Sequence, residues 1–112
     1  MIQISATVDG EGRLRSLSAE GHSFRKGGDF SPACAAVTAL LRTAAGLLEA
    51  EPDVETHVSL PAEGSMVLNV GKIPNTLTGR YRGITDFLIC GLARISQEAP
   101  EDLDMRVIHE SI

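Results

Sequence analysis

Aromatic side chains are scarce in this chain, with one Tyr, three Phe and no Trp in 112 residues. A core must therefore be mostly aliphatic, and the 43% apolar content is enough for one. Positive charge is also short: 10 Lys and Arg stand against 15 Asp and Glu, a formal net charge of -5. That balance argues against nucleic acid as the main partner, because phosphate binding needs a basic surface. It suits a basic protein or peptide, since opposite fields steer encounters. No stretch approaches the ~20 apolar residues needed to span a bilayer. Met1-Ile2-Gln3-Ile4-Ser5 carries neither a charged n-region nor an apolar h-region, so no signal peptide is expected and the predicted location is the cytosol. There are only two cysteines, Cys34 and Cys90, and in a reducing compartment both are expected as free thiols. The length fits a single domain over residues 1–112.

Alternation of Ile2, Ile4, Ala6 and Val8 with polar residues predicts a half-buried strand. Asp9-Gly10-Glu11-Gly12 has the composition of a hairpin turn. A second strand follows from about Arg13 to Glu20; its alternation slips between Leu14 and Leu17, which predicts a bulge. Gly21 ends it, and residues 21–31 read as a loop with Gly27-Gly28 at its middle. Ser31-Pro32 then marks a helix start, Ser at the N-cap and Pro at the first helical position. The helix should run to about Ala50 on an apolar stripe of Val37, Leu40, Leu41, Ala44, Leu47 and Leu48. Val54 to Leu60 and Met66 to Val70 outline two further strands around a Pro61–Gly64 turn. After a connector over 71–78, which is long enough to border a peptide groove, Thr78 is the expected cap of a second helix. That helix should end at about Glu98 and bury Tyr81, Ile84, Leu88, Gly91, Leu92 and Ile95. Leu103, Met105 and Val107 suggest a last strand. The order β-β-α-β-β-α-β predicts an α+β fold, a mixed β-sheet with two α-helices packed on one face. The uncovered sheet face and the edges are then candidate dimer surfaces.

Cys34 falls in the first turn of the first helix. Unpaired backbone N–H groups and the positive end of the macrodipole lie there. Both favour a thiolate over a thiol, and the same N–H groups could hold the oxyanion of an acyl transfer. His22, ahead of the loop that leads into this helix, is the candidate base. From position alone, a cysteine at a helix start serves packing more often than chemistry, and Ala35 and Ala36 suit close packing.

Gly21-His22, the Gly-rich loop, and Ala33-Cys34-Ala35-Ala36-Val37-Thr38-Ala39-Leu40 together resemble the Prp family of ribosomal-processing cysteine proteases. That family shows a Gly-His pair, a flexible loop and a Cys-Ala-Ala-Val-Ser-Ala-Leu-like helix start. The resemblance implies a Cys–His dyad endopeptidase with Cys34 as nucleophile and His22 as general base. Gly21, Ser23, Asp29, Ser31 and Thr38 are the implied substrate-side residues. No metal and no organic cofactor are implied, and the protein is expected to be a homodimer. The family's substrate is the precursor of large-ribosomal-subunit protein twenty-seven, whose N-terminal extension is removed. Two places depart from the family pattern. Ser31 stands where the family often has Asp, the nearest Asp being Asp29, and Thr38 stands where Ser is common.

Other residues draw bland readings. Cys90 is expected as a packing or interface residue, and His57 and His109 as ordinary sheet or surface residues. Arg25 and Lys26 read as solvated charges. Rival functions are a non-catalytic ribosome-assembly or peptide-binding module with the same fold, and thiol redox chemistry, which would need a second cysteine near Cys34.

Overall fold

The computed structural model describes residues 1–21 and 31–110. Five strands form one sheet: β1 (Ile2–Val8), β2 (Leu14–Glu20), β3 (Thr56–Ser59), β4 (Ser65–Val70) and β5 (Leu103–His109), in the spatial order β3-β4-β2-β1-β5. All pairings are antiparallel except β1 with β5, so the sheet is mixed. Helices α1 (Pro32–Glu49) and α2 (Thr78–Glu98) cover one face of it.

The period-2 alternation of β1 decides which face is covered. Ile2, Ile4, Ala6 and Val8 are all buried, while Gln3, Ser5 and Thr7 point the other way. Leu14, Leu17 and Ala19 of β2, Leu68 and Val70 of β4, and Leu103 of β5 complete the sheet side of the core. The helices answer with Val37, Leu41, Ala44 and Leu48 from α1, and Tyr81, Leu88 and Leu92 from α2.

The slip in β2 is a bulge. Thr7 pairs with Ser16 and Val8 with Leu14, which leaves Arg15 without a partner in the ladder. The extra residue returns Leu14 to the core face, which three residues of regular strand before Leu17 would not do. Beside it, the Leu14 N–H donates to Thr85 Oγ1 at 2.8 Å, and that hydroxyl donates to the Tyr81 carbonyl at 2.7 Å. Thr85 therefore belongs to the buried face of α2, although its polarity hid it from the periodicity.

Three expectations need correction. Thr78 does not cap α2: it is the first helical residue, preceded by a 3₁₀ turn over Asn75–Leu77, and Leu77 holds the cap position without a side-chain bond. The Thr78 hydroxyl instead accepts from Arg13 Nη1 at 3.3 Å. β3 is shorter than the Val54–Leu60 pattern, because Val54 is buried in the turn before the strand and Leu60 lies exposed after it. Leu47 of the α1 stripe is 43% exposed.

Candidate active site

The junction between β2 and α1 builds the site. At Gly21 the backbone turns with φ +102, a conformation that L side chains rarely adopt. A Cβ there would also run into the Met1 carbonyl oxygen. The Gly21 N–H donates to the Gly64 carbonyl at 3.0 Å, tying the end of β2 to the β3–β4 connection. Glycine is therefore needed at this position, where β2 ends. His22, Ser23 and Asp29, three of the predicted site residues, follow in the segment outside the described residues, as do Arg25, Lys26 and the Gly27-Gly28 pair.

The chain returns at Ser31, which is 4% exposed and is the N-cap of α1. Its Oγ accepts the Cys34 N–H at 3.1 Å, and its carbonyl accepts the Ala35 N–H at 3.3 Å. Pro32 has no N–H to offer. Among the described residues, the first-turn donor left without a partner is the Ala33 N–H. The broader expectation of several free first-turn donors thus narrows to one, because a good cap consumes the others. Thr38 Oγ1 donates back to the Cys34 carbonyl at 2.8 Å, so hydroxyls bracket the turn that carries Cys34 at both ends.

Cys34 is 8% exposed and lines a cleft of about 930 Å³. One wall of the cleft is α1, through Cys34, Thr38, Leu41 and Arg42. The other wall is the end of β2, through Ala19, Glu20 and Gly21, together with Leu60 and Ala62–Gly64 between β3 and β4 and Ser65 and Met66 at the start of β4. Of the predicted site residues, Cys34, Gly21 and Thr38 border this one space. Ser31 does not line it and is buried as the cap of α1. The 71–78 connector does not border it; the Pro61–Gly64 turn does, because Gly21 is bonded to that turn. Residues that the sequence reading passed over are Glu20, Glu63 and Arg42, which put charge on the cleft rim. None of the three forms an ion pair with a described residue. Glu20 had a signal in its place before Gly21 and Arg42 in its place on α1; Glu63 had none in the sequence, because only the Gly21–Gly64 bond brings its turn to the cleft.

The remaining candidates lie elsewhere. His57 is on β3, exposed, with its Nε2 3.0 Å from Glu55 Oε1. His109 ends β5 on the surface. Cys90 is exposed on α2, so packing does not explain it, and neither cysteine is in a disulfide. Among the described residues, no group of His, Cys, Asp or Glu is arranged to hold a metal ion, and no helix is long and apolar enough to cross a membrane.

Comparison with known proteins decides the family. The model of the family described as cysteine protease Prp matches residues 1–104. The chain belongs to that family. It is accordingly a cysteine-type peptidase. No match was found among curated proteins. Among solved structures, SMU.848 from Streptococcus mutans is similar at 23% identity, with a TM-score of 0.78 over 98% of this chain and 96% of that one. The essential ribosomal processing protease Prp from S. aureus with a covalently linked product peptide is similar at 18% identity, with a TM-score of 0.72 over 98% and 100% of the two chains. The same protease with a substrate peptide gives 18% identity and a TM-score of 0.74 over 96% and 99%. At these identities the structures establish the shared fold.

Proposed function

We propose that this cysteine peptidase is a ribosomal-processing endopeptidase. Its substrate would be the precursor of large-ribosomal-subunit protein twenty-seven, from which it removes the N-terminal extension. The observation that carries the reading is Cys34 facing a cleft whose opposite wall includes Gly21, the residue before His22. The S. aureus relative in complex with a substrate peptide supports a peptide as the occupant. The acidic balance of the chain favours a basic one.

In this reading His22 takes the proton of the Cys34 thiol, and Sγ attacks the scissile carbonyl carbon. The developing oxyanion is held by the Ala33 N–H and by the Cys34 N–H as it shifts from Ser31. Collapse breaks the C–N bond; His22 gives its proton to the leaving amine, and a thioester remains on Cys34. Water, deprotonated by His22, then hydrolyses the thioester and frees the thiol. Gly21, Ser23, Asp29, Ser31 and Thr38 shape the approach to Cys34. The reaction needs no metal or organic cofactor. The enzyme works in the cytosol as a homodimer.

The test is incubation of the purified protein with the tagged ribosomal-protein precursor from the same genome. Wild type should release the extension, while Cys34→Ala and His22→Ala should leave the precursor intact. If wild type and Cys34→Ala leave it equally uncut, this substrate is wrong. If both cut it equally well, Cys34 is not the nucleophile.

A further inference from the structure

On the solvent side of the two helices lies a second, apolar groove of about 540 Å³, between α1 and α2. Phe87 stands at it 74% exposed, and Leu47 is 43% exposed on the opposite bank. Gly79 and Gly83 also line it, and a Cβ at either would meet nothing within 4 Å. Glycine weakens a helix interior relative to alanine, and no described residue of this chain requires it at these two places. Cys34 does not line the groove, which is therefore distinct from the cleft that holds the thiol.

The two spaces are nevertheless continuous, because Ala39 lines both. Ala39 is exposed, and so are Ala35 and Ala36 in the turn before it. Methyl side chains at these places leave a low saddle over α1, where longer ones would stand in the way of a chain crossing the helix. Ala39 lies five residues beyond Cys34 and Leu47 thirteen. The groove thus begins about 8 Å and ends about 20 Å from the thiol along the helix axis. An extended peptide rises about 3.3 Å per residue, so one seated at Cys34 reaches the groove within roughly three to six residues.

We propose that the α1–α2 groove is a second substrate site, which takes an apolar side chain of the peptide about three to six residues from the scissile bond. The peptide lies in the Cys34 cleft, crosses α1 over Ala35 and Ala39, and sets that side chain between Phe87 and Leu47, over the two glycines. Covering Phe87 and the incoming side chain together removes apolar surface from water. It gives the exposed phenylalanine and the two glycines a role that the free chain leaves without a reason. The contact is remote from the reacting atoms and the same before and during the reaction, so it tightens binding without speeding the chemistry. The site rests on the peptide substrate stated above and extends its recognition beyond the bond that is cut.

Cleavage kinetics on two substrates test it: the tagged ribosomal-protein precursor, and a peptide trimmed to about three residues on either side of its cut, too short to enter the groove. Phe87→Ser removes one bank, and Gly83→Lys puts a charged side chain where a Cβ has room. Each should raise KM for the precursor about tenfold with kcat unchanged, and leave kcat/KM for the short peptide as in wild type. One apolar-to-Ser change in the precursor, within reach of the groove, should raise the wild-type KM by a similar factor and that of Phe87→Ser no further. Sedimentation velocity should show the variants in the same oligomeric state as wild type. If wild type cuts the precursor and both variants match it, the groove is not a substrate site and the function proposed above stands. If the variants lose both substrates alike, or dissociate where wild type does not, the groove serves the fold or an association of copies, and the proposal is overturned. If wild type leaves the precursor uncut, the substrate reading fails and the groove site with it.

Discussion

Ser31→Ala tests the bond that fixes the turn carrying Cys34. The Ser31 side chain is buried, and its Oγ accepts the Cys34 N–H at 3.1 Å. Alanine removes the acceptor and leaves that N–H without a partner at a site with little access to water. Loss of a serine N-cap costs about 0.5–2 kcal/mol. Leaving a buried donor unpaired costs about 1–3 kcal/mol. These are two views of one loss and do not add; their overlap centres on about 1.5 kcal/mol. A chain of 112 residues has an unfolding entropy of about 0.24 kcal/mol/K, so the melting temperature should fall by about 6 °C. Ser31→Asp keeps an acceptor and adds negative charge at the positive end of the helix, so its midpoint should stay within about 2 °C of wild type. Thermal melts followed by far-UV circular dichroism read both values. A Ser31→Ala midpoint within about 1 °C of wild type would refute the reasoning. An equal fall in Ser31→Asp would show that the packing of the buried side chain, not its bond, is what matters.

Tyr81 is 1% exposed and its hydroxyl has no hydrogen-bond partner among the described residues, so Tyr81→Phe should be neutral or stabilise by up to about 1 kcal/mol in urea denaturation. Burial first, and then the Glu51 carboxylate, raises the Tyr81 hydroxyl above its ordinary value of 10.0. The neutral phenol is thus favoured in the folded state, and wild-type stability should begin to fall as pH rises past about 10 and continue through the higher folded value. The Phe variant should lack that component of the alkaline loss. Burial would raise the Asp9 carboxyl, but hydrogen bonds from the Arg13 and Glu11 N–H groups and from the Arg13 guanidinium outweigh it and hold it below 3.8. Asp9→Ala should therefore cost about 1–3 kcal/mol at neutral pH. The gap to wild type, followed by urea titrations at successive pH values, should close as pH drops below 3.8 through the lower folded value. Gly21→Ala must place a Cβ at positive φ against the Met1 carbonyl, and should lose about 1–3 kcal/mol in the same denaturation assay; an unchanged midpoint would mean that the turn relaxes freely.

Most of the fold was readable because local rules and packing agree. The alternation in β1, the slipped alternation at Arg15, the Ser31-Pro32 start and the Gly21 break each have a short-range physical cause. Errors arose where tertiary partners overrode local preference. Thr78 has cap chemistry, yet its hydroxyl bonds to Arg13 across the fold. Thr85 is polar, yet it is buried because Leu14 and Tyr81 both use its hydroxyl. Leu47 fits the α1 stripe, yet it faces the open groove.

The sequence alone determined that a cysteine sits in a capped first helical turn, behind a Gly-His pair, in a chain with two core-facing helices. Those features depend on neighbours a few residues apart, and the family signature lies among them. Only the tertiary structure decided what faces Cys34. Strand pairing of β2 with β4, and the bond from Gly21 to Gly64, bring the 60–66 turn opposite α1 and exclude the 71–78 connector. It also decided that the thiol opens onto a cleft with Glu20, Glu63 and Arg42 on its rim. Those neighbours lie far apart in the chain, and no local spacing encodes which surfaces a sheet will bring together.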